Sequence, residues 1–206
     1  MPRASPRARA VTAVRHTEQM DGAQQARRIV LVEGLSDAGA VHALATRGGH
    51  DLAAEGIAVM AMGGATNIRR YLERFGPHGL GVPVAGLCDA GEEPDFRRGL
   101  ERAGLGSDLA RAGFFICVAD LEDELIRALG VSAVEEVIAA HGEMGSFRTF
   151  RKQPAQRERT AAQQLRRFMG TRSGRKIEYG RALADALDPG RVPPPLERLL
   201  AYVLGG

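Results

Sequence analysis

Arg28-Ile29-Val30-Leu31-Val32-Glu33-Gly34-Leu35-Ser36-Asp37 is an apolar run that stops on an acid, a glycine and a second acid. Four branched aliphatic residues in succession, with no polar alternation, predict a strand buried on both faces, the habit of parallel sheets. From Asp37 to Ala45 the apolar residues fall at helical spacing, with Ser36 or Asp37 placed to cap the first turn. Glu33 and Asp37 are therefore expected together at the carboxyl end of a central strand, the edge where open α/β sheets bind ligands. Two carboxylates there repel each other unless a cation joins them.

The pattern repeats downstream. Residues 56–62 predict a second buried strand, Gly63-Gly64 a tight turn, and residues 68–75 an amphipathic helix with Thr66 as its cap. Gly63-Gly64 lacks both the Walker lysine and the dinucleotide fingerprint that would make the turn a phosphate cradle. A third strand, 82–89, ends on Asp89; the loop Ala90 to Asp95 leads to a helix over 94–103. A fourth, 113–119, stops at Asp120-Leu121-Glu122-Asp123-Glu124 and passes into a helix reaching Gly130. Right-handed crossovers bring such strand ends to one edge of one sheet. The expected fold is α/β, an open, mainly parallel four-stranded sheet flanked by helices over residues 27–130.

One acid after one strand is usually a helix cap, and that explanation suffices for Asp120 or Asp37 taken singly. It does not suffice for Glu33, which ends the apolar run itself. With Glu33, Asp37, Asp89 and Glu122 converging, an all-oxygen donor set calls for Mg²⁺ or Mn²⁺ rather than zinc.

After residue 130 the character changes. Helices are expected from 132 to about 140, opened by a Ser132 to Glu135 capping box, and over 155–169, 177–187 and 196–204. His141 to Arg148 reads as a break, and Gly170 to Lys176 as a basic loop. Residues 131–206 thus form a basic helical extension packed on the sheet. Between Arg148 and Lys176 stand eight arginines and two lysines against Glu158 alone, +9 in a chain of net charge +3. The remainder therefore carries −6, and an acidic site beside a basic flank suits a polyanionic partner. A solvated charged face is the rival explanation. Only two of the 28 basic residues are lysines, so Lys176 marks a place where a compact ammonium serves and a guanidinium does not. A plain surface cation is the alternative there.

Composition sets the outer bounds. Hydrophobic residues make up 44% and charged residues 26% of 206, as in a soluble globular chain of one domain, or one domain with an appended helical part. There is no apolar run of membrane-spanning length and no secretory leader pattern, so the expected location is cytoplasmic. Residues 1–26 read as a disordered basic arm. Cys88 and Cys117 each sit inside an apolar run and read as small buried hydrophobes.

Val32-Glu33-Gly34-x-x-Asp37 followed by Leu87-Cys88-Asp89 at a strand end resembles the TOPRIM domain of topoisomerases, primases and related nucleases. More closely, Ile29 to Asp37 and Ala119-Asp120-Leu121-Glu122-Asp123-Glu124 resemble the TOPRIM nuclease domain of the OLD family. The resemblance covers about residues 27–190, loosely in the helical part. It implies a divalent-metal-dependent nuclease acting on DNA through two ions, Mg²⁺ or Mn²⁺. Glu33 and Asp37 would be ligands of the first motif, Asp89 the first acid of an Asp-x-Asp motif, and Glu122 the later acid with Asp120 beside it. Glu33 and Lys176 would be the catalytic pair, Lys176 stabilising transition-state charge. Arg148, Arg151, Lys152, Arg166, Arg167, Arg172 and Arg175 would hold the phosphate backbone.

Gly91 departs from the family pattern, standing where the second acid of Asp-x-Asp belongs, with Glu92 or Glu93 as substitutes. That departure keeps a second reading open, a catalytically impaired TOPRIM subunit that binds nucleic acid or docks to a partner. OLD proteins carry an ATPase domain ahead of this one and no P-loop occurs here, so the chain is expected to act alone, as a homodimer or with a separate ATPase. A phosphoacceptor receiver needs adjacent acids after the first strand, whereas Glu33 and Asp37 lie four apart.

Overall fold

A computed structural model describes residues 25–205; the expected arm over 1–26 lies almost wholly outside them. The chain runs β1 (Arg28–Val32), α1 (Leu35–Arg47), β2 (Ile57–Ala61), α2 (Ile68–Phe75), β3 (Val84–Asp89), α3 (Glu93–Arg102) and β4 (Phe114–Cys117). Six helices follow: α4 (Leu121–Leu129), α5 (Val131–Ala140), α6 (Met144–Arg151), α7 (Ala161–Met169), α8 (Ser173–Ala186) and α9 (Pro194–Leu204). The strands lie in the order β2-β1-β3-β4 and every pairing is parallel.

Burial on both faces explains the uninterrupted apolar strands. Alternate residues of each strand feed two cores. Ile29, Leu31, Met60 and Cys88 pack with Ile68, Leu72, Phe75, Phe96 and Phe114 under α2 and α3. Val30, Val32, Val59 and Leu87 pack with Val41, Leu44, Leu125, Phe168, Leu183 and Leu199 on the opposite face. The helices after residue 130 therefore share one core with the sheet. Gly86 lets the strands close up: a Cβ there would lie 2.2 Å from the Leu31 carbonyl oxygen. Cys88 and Cys117 are buried and unbridged, and burial raises both thiols, Cys88 to about 12.

Five local expectations change. α1 begins two residues earlier than its periodicity suggests, with Gly34 as N-cap; Asp37 sits on the first turn and its carboxylate accepts the Gly34 N–H at 2.7 Å. Thr66 caps nothing, because a short 3-10 turn (Ala65–Asn67) precedes α2 and Asn67 donates to the Met62 carbonyl. The expected break over 141–148 contains most of α6, whose Phe147 and Phe150 are drawn into the core. The expected basic loop 170–176 is non-helical only over 170–172; α8 takes up the rest, so Lys176 is held on a helix. Gly130, not a Ser132 capping box, opens α5.

Candidate metal and nucleic-acid site

Because β1 leads to β2 on one side and β3 lies on the other, the strand order reverses between β1 and β3. The helices that follow these two strands pack on opposite faces, leaving a crevice at their carboxyl ends. Glu33 stands just past β1 and Asp89 ends β3, so the two acids flank that crevice. The Gly63 and Gly64 amides both donate to the Glu33 carbonyl, at 2.9 and 3.1 Å. Gly64 does so at φ 127°, a conformation reserved for glycine. The Gly-Gly turn thus fixes the backbone of Glu33, as a tight turn and not as a phosphate cradle.

Capping accounts for some of the acids and not others. Asp120 is a cap: its side chain accepts the Asp123 N–H at 2.9 Å. Asp37 reaches back to Gly34 from the first turn. Asp89 makes no side-chain cap bond, although a 3-10 turn (Ala90–Glu92) begins right after it. Burial is the main force raising the Asp89 carboxyl, to about 7, with the charges of Asp37, Glu33, Asp120 and Glu122 adding to it. Asp37 is also raised to about 7, first by burial, against which the Gly34 amide works, and then by Glu122. Glu33 is raised by burial, which Lys176 opposes, and then by Glu92, Glu122 and Asp120. Acids from three strand ends therefore feel one another's charge.

Glu122 is almost wholly buried, at 2% exposure, on the first turn of α4. Its Oε1 accepts from Ser36 Oγ at 2.7 Å, and its Oε2 lies 3.1 Å from Lys176 Nζ. That oxygen has ion-pair contact but no directed hydrogen bond. Burial disfavours the Lys176 ammonium, but Glu122 and the further acids Asp37 and Asp120 outweigh it and raise the pKa. Lys176 is thus a fixed positive charge at neutral pH. Its position follows from a close helix crossing. A Cβ on Gly180 of α8 would lie 2.4 Å from Ser36 Oγ, so only glycine lets α8 approach α1.

Beside these acids lies a groove of about 720 Å³ lined by Asp120, Glu122, Arg159, Arg166, Arg167 and Lys176, among others. Arg166 Nε and Nη2 both contact Asp120 Oδ2 at 2.7 Å. Of the expected backbone-binding residues, Arg166 and Arg167 line this groove, whereas Arg148, Lys152 and Arg172 are exposed but do not line it. Arg151 is exposed but paired with Glu135 at 3.2 Å and lies over the Phe147 ring. Arg175 is withdrawn from the set: its guanidinium is buried, bonds both Glu143 oxygens and lies 4.0 Å over the Phe168 ring. Residues 148–176 also supply Arg159, which the expected set omitted.

The substitutes for Gly91 separate cleanly. Glu93 is ion-paired with Arg97, whereas Glu92 raises the Glu33 carboxyl. Among the described residues, no three His, Cys, Asp or Glu side chains stand together as a ready metal-ligand group. The chemistry of the donors fits a hard divalent ion: all are oxygens, two are spare acids flanking a crevice, and buried Glu122 Oε2 lacks a directed hydrogen bond. Two of the five carboxylates are meanwhile paired with Arg166 and Lys176.

Residues 26–90 match the model described as "Overcoming lysogenization defect protein-like, TOPRIM domain". Over residues 26–90 the chain has the pattern of an OLD-like TOPRIM domain. The match spans Glu33, Asp37 and Asp89 but stops short of Asp120, Glu122 and Lys176. Among solved structures, the C-terminal region of the Burkholderia pseudomallei OLD protein is similar at a TM-score of 0.64 and 22% identity, covering 87% of this chain and 98% of that one. The C-terminal region of the Xanthomonas campestris pv. campestris OLD protein has a TM-score of 0.60 and 23% identity, covering 87% and 97%. These likenesses establish the TOPRIM-type fold, helical part included. No curated protein matches the chain. No helix among the described residues is long and apolar enough to cross a membrane.

Proposed function

We propose that this OLD-like TOPRIM domain is a divalent-metal-dependent nuclease that hydrolyses or nicks DNA phosphodiester bonds. The observation that carries the reading is the pair Glu33 and Asp89, carboxylates without a capping role, flanking the switch-point crevice beside an arginine-lined groove. Glu33, Asp37 and Asp89 would hold Mg²⁺ or Mn²⁺ on one side and Glu122 with Asp120 on the other. Glu92 would stand in for the acid absent at Gly91. A bound ion pair supplies a water of lowered pKa as nucleophile and neutralises charge on the leaving oxygen.

The chain's own residues do the rest. Arg159, Arg166 and Arg167 hold the backbone through charge-assisted bonds that carry no sequence information. Lys176, kept protonated by its acidic neighbours, stabilises negative charge developing on the phosphoryl oxygens and does not serve as a base. Ser36 orients Glu122, and the Gly63-Gly64 turn orients Glu33.

The test is a supercoiled plasmid incubated with Mn²⁺ or Mg²⁺. Nicking that Glu33→Ala and Asp89→Ala both abolish supports the nuclease. Salt-sensitive DNA binding without nicking supports the second reading, a nucleic-acid-binding or partner-docking subunit working with a separate ATPase, which Gly91 favours. Cytoplasmic placement belongs to the same proposal.

A further inference from the structure

Both oxygens of Asp120 are committed: Oδ1 caps α4 and Oδ2 takes two nitrogens of Arg166. Arg166 belongs to the last turn of α7, 46 positions further along the chain, and lines the same groove as Glu122 and Lys176. The pair is not a fully buried bridge: the Asp120 side chain is 17% exposed and that of Arg166, which faces the groove, 44%. With its guanidinium open to solvent, such a pair can be exchanged by a competing anion that reaches the groove. A phosphodiester entering the groove is such an anion, and guanidinium binds it bidentately.

We propose that Arg166 couples nucleic-acid binding to metal loading: it withholds Asp120 while the groove is free of phosphate, and backbone phosphate draws it off and releases that carboxylate to a divalent ion. This rests on the nuclease reading above. Because the same guanidinium cannot serve Asp120 and a phosphate through the same nitrogens, DNA and metal each strengthen the other's binding, and the coupling is reciprocal. The consequence is specificity by order: ions are held firmly only when substrate is in place. Lys176 on Glu122 is a second such pair, but its ammonium is needed in the reaction and makes a poorer probe.

The measurement is Mn²⁺ binding by calorimetry, with and without a short duplex DNA, independent of cleavage. Without DNA, Arg166→Ala binds Mn²⁺ about tenfold more tightly than the unsubstituted protein, within the ordinary range of coupling factors. Arg166→Gln behaves the same way. Arg167→Ala removes the same charge from the same helix and groove, and Arg167 has no carboxylate partner among the described residues; its affinity stays near that of the unsubstituted protein. DNA tightens Mn²⁺ binding by the unsubstituted protein and does little for the Arg166 variants. Equal shifts for Arg166→Ala and Arg167→Ala, or equal tightening by DNA in all forms, overturn the coupling and leave the nuclease reading standing. No Mn²⁺ binding by any form, with DNA or without, overturns both.

Discussion

Ser36 Oγ donates to Glu122 Oε1 at 2.7 Å across 86 positions of sequence, tying the helix after the first strand to the helix after the fourth. Ser36 also lies 3.2 Å from the Lys176 carbonyl oxygen, so one buried hydroxyl touches both halves of the Glu122–Lys176 pair. Ser36→Ala leaves a buried carboxylate short of a donor, which costs about 1–3 kcal/mol. Urea denaturation reads the loss directly. Plasmid nicking is expected to fall further than stability alone accounts for, because Glu122 loses its orientation.

Gly180→Ala attacks the same contact by steric means. The added methyl would lie 2.4 Å from Ser36 Oγ and 2.7 Å from its carbonyl oxygen, so α8 must move away from α1. Overpacking of this kind costs about 1–3 kcal/mol and shifts Lys176 off Glu122. Gly174→Ala, on the same helix with open space around its Cβ, is the control and keeps or raises the melting temperature.

The pH dependence of the metal-free protein follows from Asp37 and Asp89, each raised from 3.8 to about 7. Between those values the folded state keeps protons that the unfolded chain has lost. Stability from these groups is full below about pH 4, falls as pH rises to about 7 and is level above. Melting curves in EDTA are expected to show that decline, and Asp89→Asn to flatten it while stabilising the protein at alkaline pH. Added Mn²⁺ should raise the melting temperature most above pH 7, where the carboxylates have shed their protons.

Much of this was legible in the chain itself, and the exceptions have physical causes. Uninterrupted apolar strands ending on acids are visible because a doubly buried parallel strand leaves no other composition. α6 was hidden because Gly145 and Ser146 dilute its pattern, and it is held by Phe147 and Phe150 packing on Phe168. The start of α8 reads as a loop for a similar reason: tertiary burial of Tyr179 and Leu183 overrides a poor helical opening. Pairs such as Arg175 with Glu143 or Arg166 with Asp120 join distant positions, and spacing carries no trace of them. Arg175 therefore looked like any other cation of the basic run.

Gly91→Asp tests the departure from the Asp-x-Asp pattern. A Cβ at Gly91 meets nothing within 4 Å, so the side chain fits without strain from its neighbours. The substitution is expected to tighten Mn²⁺ binding and increase nicking several-fold. If nicking is unchanged while Glu92→Ala abolishes it, Glu92 already supplies the missing ligand.

The most direct measurement is a crystal of the protein with short duplex DNA and Mn²⁺, examined by anomalous scattering. Anomalous peaks bonded at ~2–2.5 Å to Asp89 together with Glu33 or Asp37, with Glu122 and Asp120 turned toward the same centre, are the predicted result. Peaks only on DNA or at scattered surface acids, with Glu33 and Asp89 sharing no ion, would contradict it.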